Sequence, residues 1–417
     1  MYSIQWQANL FNHRLKNLIT SPVVCACLYV AFCGISLNFR IDIPLLILAA
    51  CSIFIACSHG SSRKKLSTSQ FLIYICFYLL VMCISILFSE DVGRSVLLSA
   101  PLLPAILLFF LIAEYFSDHK DIRLLYLTFV LVSLGLSAML LGAVWINKLS
   151  DPFAWVLSVG SPMLVVKNDV TFLAIIAPLS LALIYLKPRS ILSLIALTSL
   201  LSSIVVIGFF QSRIALLTMI IAVTFFFLFI KPRIGLACGL LTSIVVLIID
   251  CFMGFPLIER FIHHWDGSGR IPLWVSAWKM FLDAPLMGHG PHTFVELYES
   301  YLQNINLPSW IFVDSRTIPW PHNLYLEVLA EQGIFGFVAL LFLLISGLFA
   351  ALKFRRIAFV EVRILGYGAF ASLLGFCFAS LFELTFLRQW VTLVLFTILG
   401  VIAHLSFKYQ KREVSHG

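Results

Sequence analysis

His322, Arg213 and Arg270 are the residues whose types and settings could do chemistry. His322 lies in Trp320-Pro321-His322-Asn323-Leu324-Tyr325, where a long polar segment re-enters an apolar run. Imidazole exchanges protons near neutral pH, so a histidine there could act as a general base or bind phosphate. A buried structural histidine is the plainer alternative. Arg213 stands in Phe209-Phe210-Gln211-Ser212-Arg213-Ile214, with almost no loop between two apolar runs. A charge so close to hydrocarbon is costly and usually has a partner or a task, although an interface arginine can snorkel to water. Arg270 follows Asp266-Gly267-Ser268-Gly269. Glycines let the backbone approach a ligand, and a guanidinium forks onto phosphate oxygens. A solvated loop arginine is the alternative. Weaker binding candidates are Lys167 and Asn168 before another apolar run, Asn323 beside the histidine, and Glu331 further along the same run.

The elements that must hold these residues are set by hydropathy. The chain has 417 residues, is 61% hydrophobic and 12% charged, and has a mean hydropathy of +1.02. A soluble domain is roughly half apolar and about a quarter charged. The expectation is an all-α polytopic membrane protein with about 12 transmembrane helices, each near the ~20 residues that cross a hydrocarbon core. The apolar runs fall at 21–38, 41–58, 70–88, 96–115, 123–146, 170–186, 191–209, 214–230, 234–252, 323–352, 364–382 and 390–407. Basic clusters punctuate them: Arg63-Lys64-Lys65, Lys187-Pro188-Arg189, Lys231-Pro232-Arg233, Arg355-Arg356 and Lys411-Arg412. If every run crosses once, these clusters share one side. The Lys/Arg bias of short loops puts that side, and both termini, in the cytoplasm. The first 20 residues are polar and mixed, so no cleavable leader is expected.

The segment 253–322, just before the tenth span, then lies outside. It is rich in tryptophan, and Leu273, Trp274, Ala277, Trp278, Phe281 and Leu282 recur at helical spacing. An amphipathic helix there would lie on the membrane or cap the bundle, and Gly288-His289-Gly290-Pro291 would end it. Residues 1–417 therefore read as one membrane domain with an embedded helical subdomain at 253–322.

Other chemistries find little support. The net charge of +8 follows from the membrane-side bias, and no nucleic-acid-binding motif accompanies it. The 10 cysteines lie almost all in apolar runs and form no CxxC pair. His289-Gly290-Pro291-His292 is not a helical metal-binding pair, so no metal is expected. No phosphate-cradling Walker loop, GxSxG elbow or DxD-like element appears.

At these residues the chain resembles the O-antigen ligase and O-antigen polymerase superfamily of bacterial envelope glycosyltransferases. The signature H-N-x-x-L-x-x-x-x-E-x-G is met by His322, Asn323, Leu326, Glu331 and Gly333. A G-x-G-x-x-x-F element is met by Gly288, Gly290 and Phe294, an S-R-x-A turn by Ser212, Arg213 and Ala215, and a G-R pair by Gly269 and Arg270. Asn168 matches an asparagine that opens an earlier span, but the alanine that follows it in the family is absent here.

The resemblance implies a GT-C-like enzyme in the inner membrane of a Gram-negative bacterium, with its site facing the periplasm. The donor would be a glycan on undecaprenyl pyrophosphate and the acceptor a sugar of the lipid A core, with neither metal nor other cofactor. Arg213 and Arg270 would stabilise the departing pyrophosphate, and His322 would take the acceptor's proton in an inverting displacement. A repeat-unit polymerase is the alternative within the family. It would be expected to carry two arginine-rich outer loops, and both outer loops here are poor in Arg and Lys. A transporter or flippase should show broken helices with mid-span charges and a two-half repeat, and neither is seen.

Overall fold

The computed structural model describes residues 21–35, 70–147, 170–210, 212–252, 269–309, 311, 313 and 320–414. Among them every regular element is helical. In chain order these are α1 (Pro22–Ile35), α2 (Gln70–Leu87), α3 (Val92–Ser99), α4 (Leu102–Tyr115), α5 (His119–Asn147), α6 (Val170–Leu186), α7 (Ile191–Phe209), α8 (Arg213–Ile230), α9 (Pro232–Phe252), α10 (Arg270–Asp283), α11 (Phe294–Gln303), α12 (Leu324–Leu352), α13 (Val360–Ser380) and α14 (Gln389–Val414).

Among the described residues seven helices are long and apolar enough to cross a membrane, and four shorter apolar helices stand beside them. The protein is a polytopic α-helical membrane protein. Together they overlap the apolar runs of the sequence, save that at 41–58, which lies outside the described residues, and seven of them have the length to cross. The span expected at 96–115 is two helices, α3 and α4, meeting at Ala100-Pro101. A proline ring clashes with the preceding turn, which explains the break.

Helix starts follow local chemistry. Asp91, Ser190, Ser212 and Asn323 each accept a backbone N–H from the first turn of the helix they precede. Pro232 takes the first position of α9, where no N–H is needed.

The helices run up and down, so the bundle has two ends. At one end α5 and α14 meet through His119 and Tyr409, and Arg355 stacks on Phe229 of α8 at 4.3 Å. The basic turns at Lys187, Lys231 and Arg355 fall at this end. At the other end α2 reaches α12, where Ser85 Oγ donates to the Glu331 carbonyl at 3.0 Å.

That second end is covered by α10 and α11. The amphipathic helix expected at 273–282 is α10. It buries Leu273, Ala277 and Met280 against Phe294 and Tyr298 of α11 and Ala330 of α12, while Trp278 and Leu282 stay exposed. This small core is separate from the main one, so α10 caps the bundle.

Candidate active site

α12 carries the histidine signature, and its residues divide by task. Asn323 caps the helix: its Oδ1 accepts from the N–H groups of Tyr325 and Leu326 at 3.0 and 3.1 Å. Leu326 packs on the α10–α11 core. Glu331 is buried and caps α11, accepting the His292 N–H at 2.7 Å and the Phe294 N–H at 3.1 Å. Gly333 interrupts α12 at φ 64° and ψ −165°. There the backbone of 285–291 crosses the helix, with Gly290 N–H on the Glu331 carbonyl at 2.8 Å and Ile334 N–H on the Pro285 carbonyl at 2.8 Å. A Cβ on Gly333 would sit 2.3 Å from Leu286 backbone, and one on Gly288 2.2 Å from Glu331 backbone. The two glycine elements are therefore the two halves of one crossing.

His322 is used differently. It adopts φ 54°, a left-handed conformation that costs a residue with a Cβ roughly 1–2 kcal/mol. Such strain persists only where the surroundings hold it. Trp320 Nε1–H donates to His322 Nδ1 at 3.2 Å. Indole nitrogen is only a donor, so Nδ1 is the acceptor, and a neutral ring then carries its hydrogen on Nε2.

The turn between α13 and α14 lies between this histidine and Arg270. Arg388 lies 5.0 Å from the centre of the Trp320 ring. It belongs to the turn between α13 and α14, which also carries Glu383, 5% exposed. Glu383 interacts electrostatically with Arg270, the first residue of α10. Burial pulls the Arg270 guanidinium below the usual arginine range, and Glu383 opposes that shift. One turn along α10, Trp274 Nε1–H donates to the Pro321 carbonyl at 3.0 Å, and its ring lies 6.4 Å from that of Phe382.

Arg213 joins through helix register. α8 runs antiparallel to α13, with Phe229 against Tyr367 and Phe370 and a Cβ on Gly375 falling against Ala222 and Thr218. Following that register brings Arg213, first in α8, level with the turn after Ser380. Thr171, in the first turn of α6, donates to Glu383 Oε2 at 2.6 Å. Lys167 and Asn168 lie outside the described residues, as do His263 and His264. His289 is held by Glu90 at 2.8 Å and the Met280 carbonyl at 3.1 Å, a role in binding α10 to the α2–α3 turn.

α6, α8, α10, α12 and α14 all open at this end, and helix N-termini favour anions. Gly269, before α10, adopts φ 80° and provides no side-chain cap. Arg213, Arg270 and Arg388 add three permanent cations. The arrangement is suited to a multiply charged anion.

His292, Glu327 and Glu331 form the only set among the described residues that could offer three metal ligands, with atoms within 4.8 Å of one another. They line a cavity of about 20 Å³, room for roughly one water. Backbone amides already occupy both oxygens of Glu331, and Glu327 Oε1 accepts from Phe386 N–H at 3.1 Å. The cluster thus joins α11, α12 and the 383–388 turn.

Residues 197–342 match the family model described as O-antigen ligase. The match spans α7 to the middle of α12 and includes Arg213, Arg270, His322, Asn323 and Glu331. It ends before Glu383 and Arg388. No curated protein matches the chain.

Proposed function

We propose, from the match of residues 197–342 to the O-antigen ligase family model, that the chain transfers a glycan from undecaprenyl pyrophosphate to a sugar hydroxyl of lipid A core. Transfer takes place at the periplasmic face of the inner membrane of a Gram-negative bacterium. The observation that supports this reading is that His322, Trp320 and Arg388 contact one another and that Glu383, in the same turn as Arg388, acts electrostatically on Arg270, at an end where five helices open. The acceptor oxygen bonds to the anomeric carbon, and its proton passes to a phosphate oxygen of the departing pyrophosphate. The bond from that carbon to phosphate breaks, and the pyrophosphate leaves with the electron pair. One displacement inverts the anomeric centre.

Charge grows on the leaving group, so fixed cations in a site with little water stabilise it more than water would. Arg213, Arg270 and Arg388 take that role. Glu383 balances the charge of Arg270 before the donor arrives. The indole N–H on Nδ1 supports a donor role for His322, with Nε2–H directed to a phosphate oxygen. A general base would need Trp320 to release Nδ1 first. Asn323 and Glu331 serve the site by fixing the helix start and the crossing beneath it, and Lys167 and Asn168 remain proposed donor contacts from the segment before α6.

The sparse basic residues of the outer segments favour ligase over repeat-unit polymerase, whose acceptor would bring a second pyrophosphate. The test is transfer by purified protein with lipid A-core as the sole acceptor. Glycosylated core supports the ligase, donor units joined to each other support the polymerase, and neither product rejects both.

A further inference from the structure

The end of the bundle opposite His322 holds a cleft of about 640 Å³, within the size range of ligand sites. It lies where α5 begins, α6 ends and α13 begins. Its lining is His119, Lys120, Arg123, Lys187, Glu361 and the residues around Val360. Three features separate it from an ordinary basic surface.

The first is uncompensated charge in a concave place. Lys120, Arg123 and Lys187 make no side-chain ion pair or hydrogen bond among the described residues, although they come from the start of α5 and the turn after α6. The one carboxylate in the lining, Glu361, is engaged by His119 Nε2 at 3.0 Å. The second is an apolar rim: Phe359 and Val360 are 56% and 55% exposed at the mouth. The third is depth. Lys187 directly follows the apolar helix α6, and Lys120 and Arg123 lie in the first turns of α5, a membrane-crossing candidate. The cleft therefore stands at the level where hydrocarbon gives way to headgroups.

A soluble anion would be met by the cations alone. A molecule with a phosphate at headgroup depth and acyl chains below it would meet the cations and the rim together. We propose that this cleft binds an anionic glycerophospholipid, its phosphate among Lys120, Arg123 and Lys187 and its chains passing Phe359 and Val360. The Lys/Arg bias puts this end at the cytoplasmic leaflet, whose anionic lipids attract such clusters. The site is separate from the glycan-transfer site and does not depend on it.

The test is native mass spectrometry of the purified protein titrated with phosphatidylglycerol, phosphatidylethanolamine or inorganic phosphate. Phosphatidylglycerol should bind in preference to phosphatidylethanolamine, and inorganic phosphate should not displace it. The double variant Lys120→Gln/Lys187→Gln should weaken phosphatidylglycerol binding by roughly tenfold or more. The matched variant Lys353→Gln/Arg356→Gln removes two exposed cations from the same end outside the cleft, and it should bind like the wild type. Single Lys187→Gln, at an exposed position, should give a smaller loss in the same direction if the double variant does not fold. No preference for the anionic lipid, equal losses in both double variants, or displacement by inorganic phosphate would each overturn the proposal.

Discussion

At the scale of single residues, His322 carries the sharpest chemical question. With Nδ1 accepting from Trp320, the neutral ring offers a hydrogen on Nε2. A glutamine side chain can also offer an N–H, whereas alanine cannot. The expected outcome is that His322→Gln retains at least about ten times the transfer rate of His322→Ala, since a hydrogen bond to a charged group is worth roughly 1.5–3 kcal/mol. Equal inactivity of the two variants, both properly folded, would point back to a general base. Glu331 and Glu327 give a second contrast. Glu331 accepts two backbone N–H groups and Glu327 one. Glutamine keeps one acceptor oxygen, so it can serve at 327 but leaves one amide unmet at 331. Glu331→Gln should lower stability by about 1–3 kcal/mol and Glu327→Gln by clearly less, read as thermal unfolding in detergent. The reverse order would show that the caps are misassigned. The signature residues were visible in sequence, but their separate tasks were not. Asparagine and glutamate are as apt for capping as for binding, and only the partner decides. Trp320 and Arg388 were harder to find, because sixty-odd residues separate two side chains that stack. The one available hint for Arg388 was a lone cation in the short turn between the last two apolar runs, on the side the charge bias leaves poor in Lys and Arg.

Among the elements, the crossing of α12 by residues 285–291 decides where the site sits. It ties α10, Arg270 included, to the helix that follows His322. Gly333 makes the crossing possible through its positive φ and through space that no Cβ could share. Gly333→Ala should therefore lower the unfolding temperature and the transfer rate together. A variant with unchanged stability and unchanged rate would mean the crossing is dispensable. The apolar runs were legible because ~20 consecutive apolar residues admit few other fates. α10 was legible from its helical spacing, though its docking face was not, since a membrane surface and a helix bundle both accept an apolar stripe. The break at Ala100-Pro101 was missed because hydropathy does not register a proline within an apolar run. The crossing itself joins residues distant in sequence, and its glycines gave a motif without a geometry.

For the molecule as a whole, the up-and-down bundle separates two charged ends. One end gathers arginines, helix N-termini and a histidine under the α10–α11 cover. The other collects the basic turns at Lys187, Lys231 and Arg355. This separation suits an enzyme whose donor keeps its polyprenyl tail in the bilayer while its pyrophosphate reaches the arginines. The central claim is that the arginine-lined end holds that pyrophosphate as it departs. The most direct measurement compares wild type and Arg270→Lys, purified and equally folded, in transfer of glycan from undecaprenyl pyrophosphate to lipid A-core. Lysine keeps the charge and loses the fork. The expected result is glycosylated core from the wild type and a rate about 100-fold lower from the variant, the scale for removing one preorganised donor. An Arg270→Lys protein that transfers glycan at the wild-type rate would contradict the account.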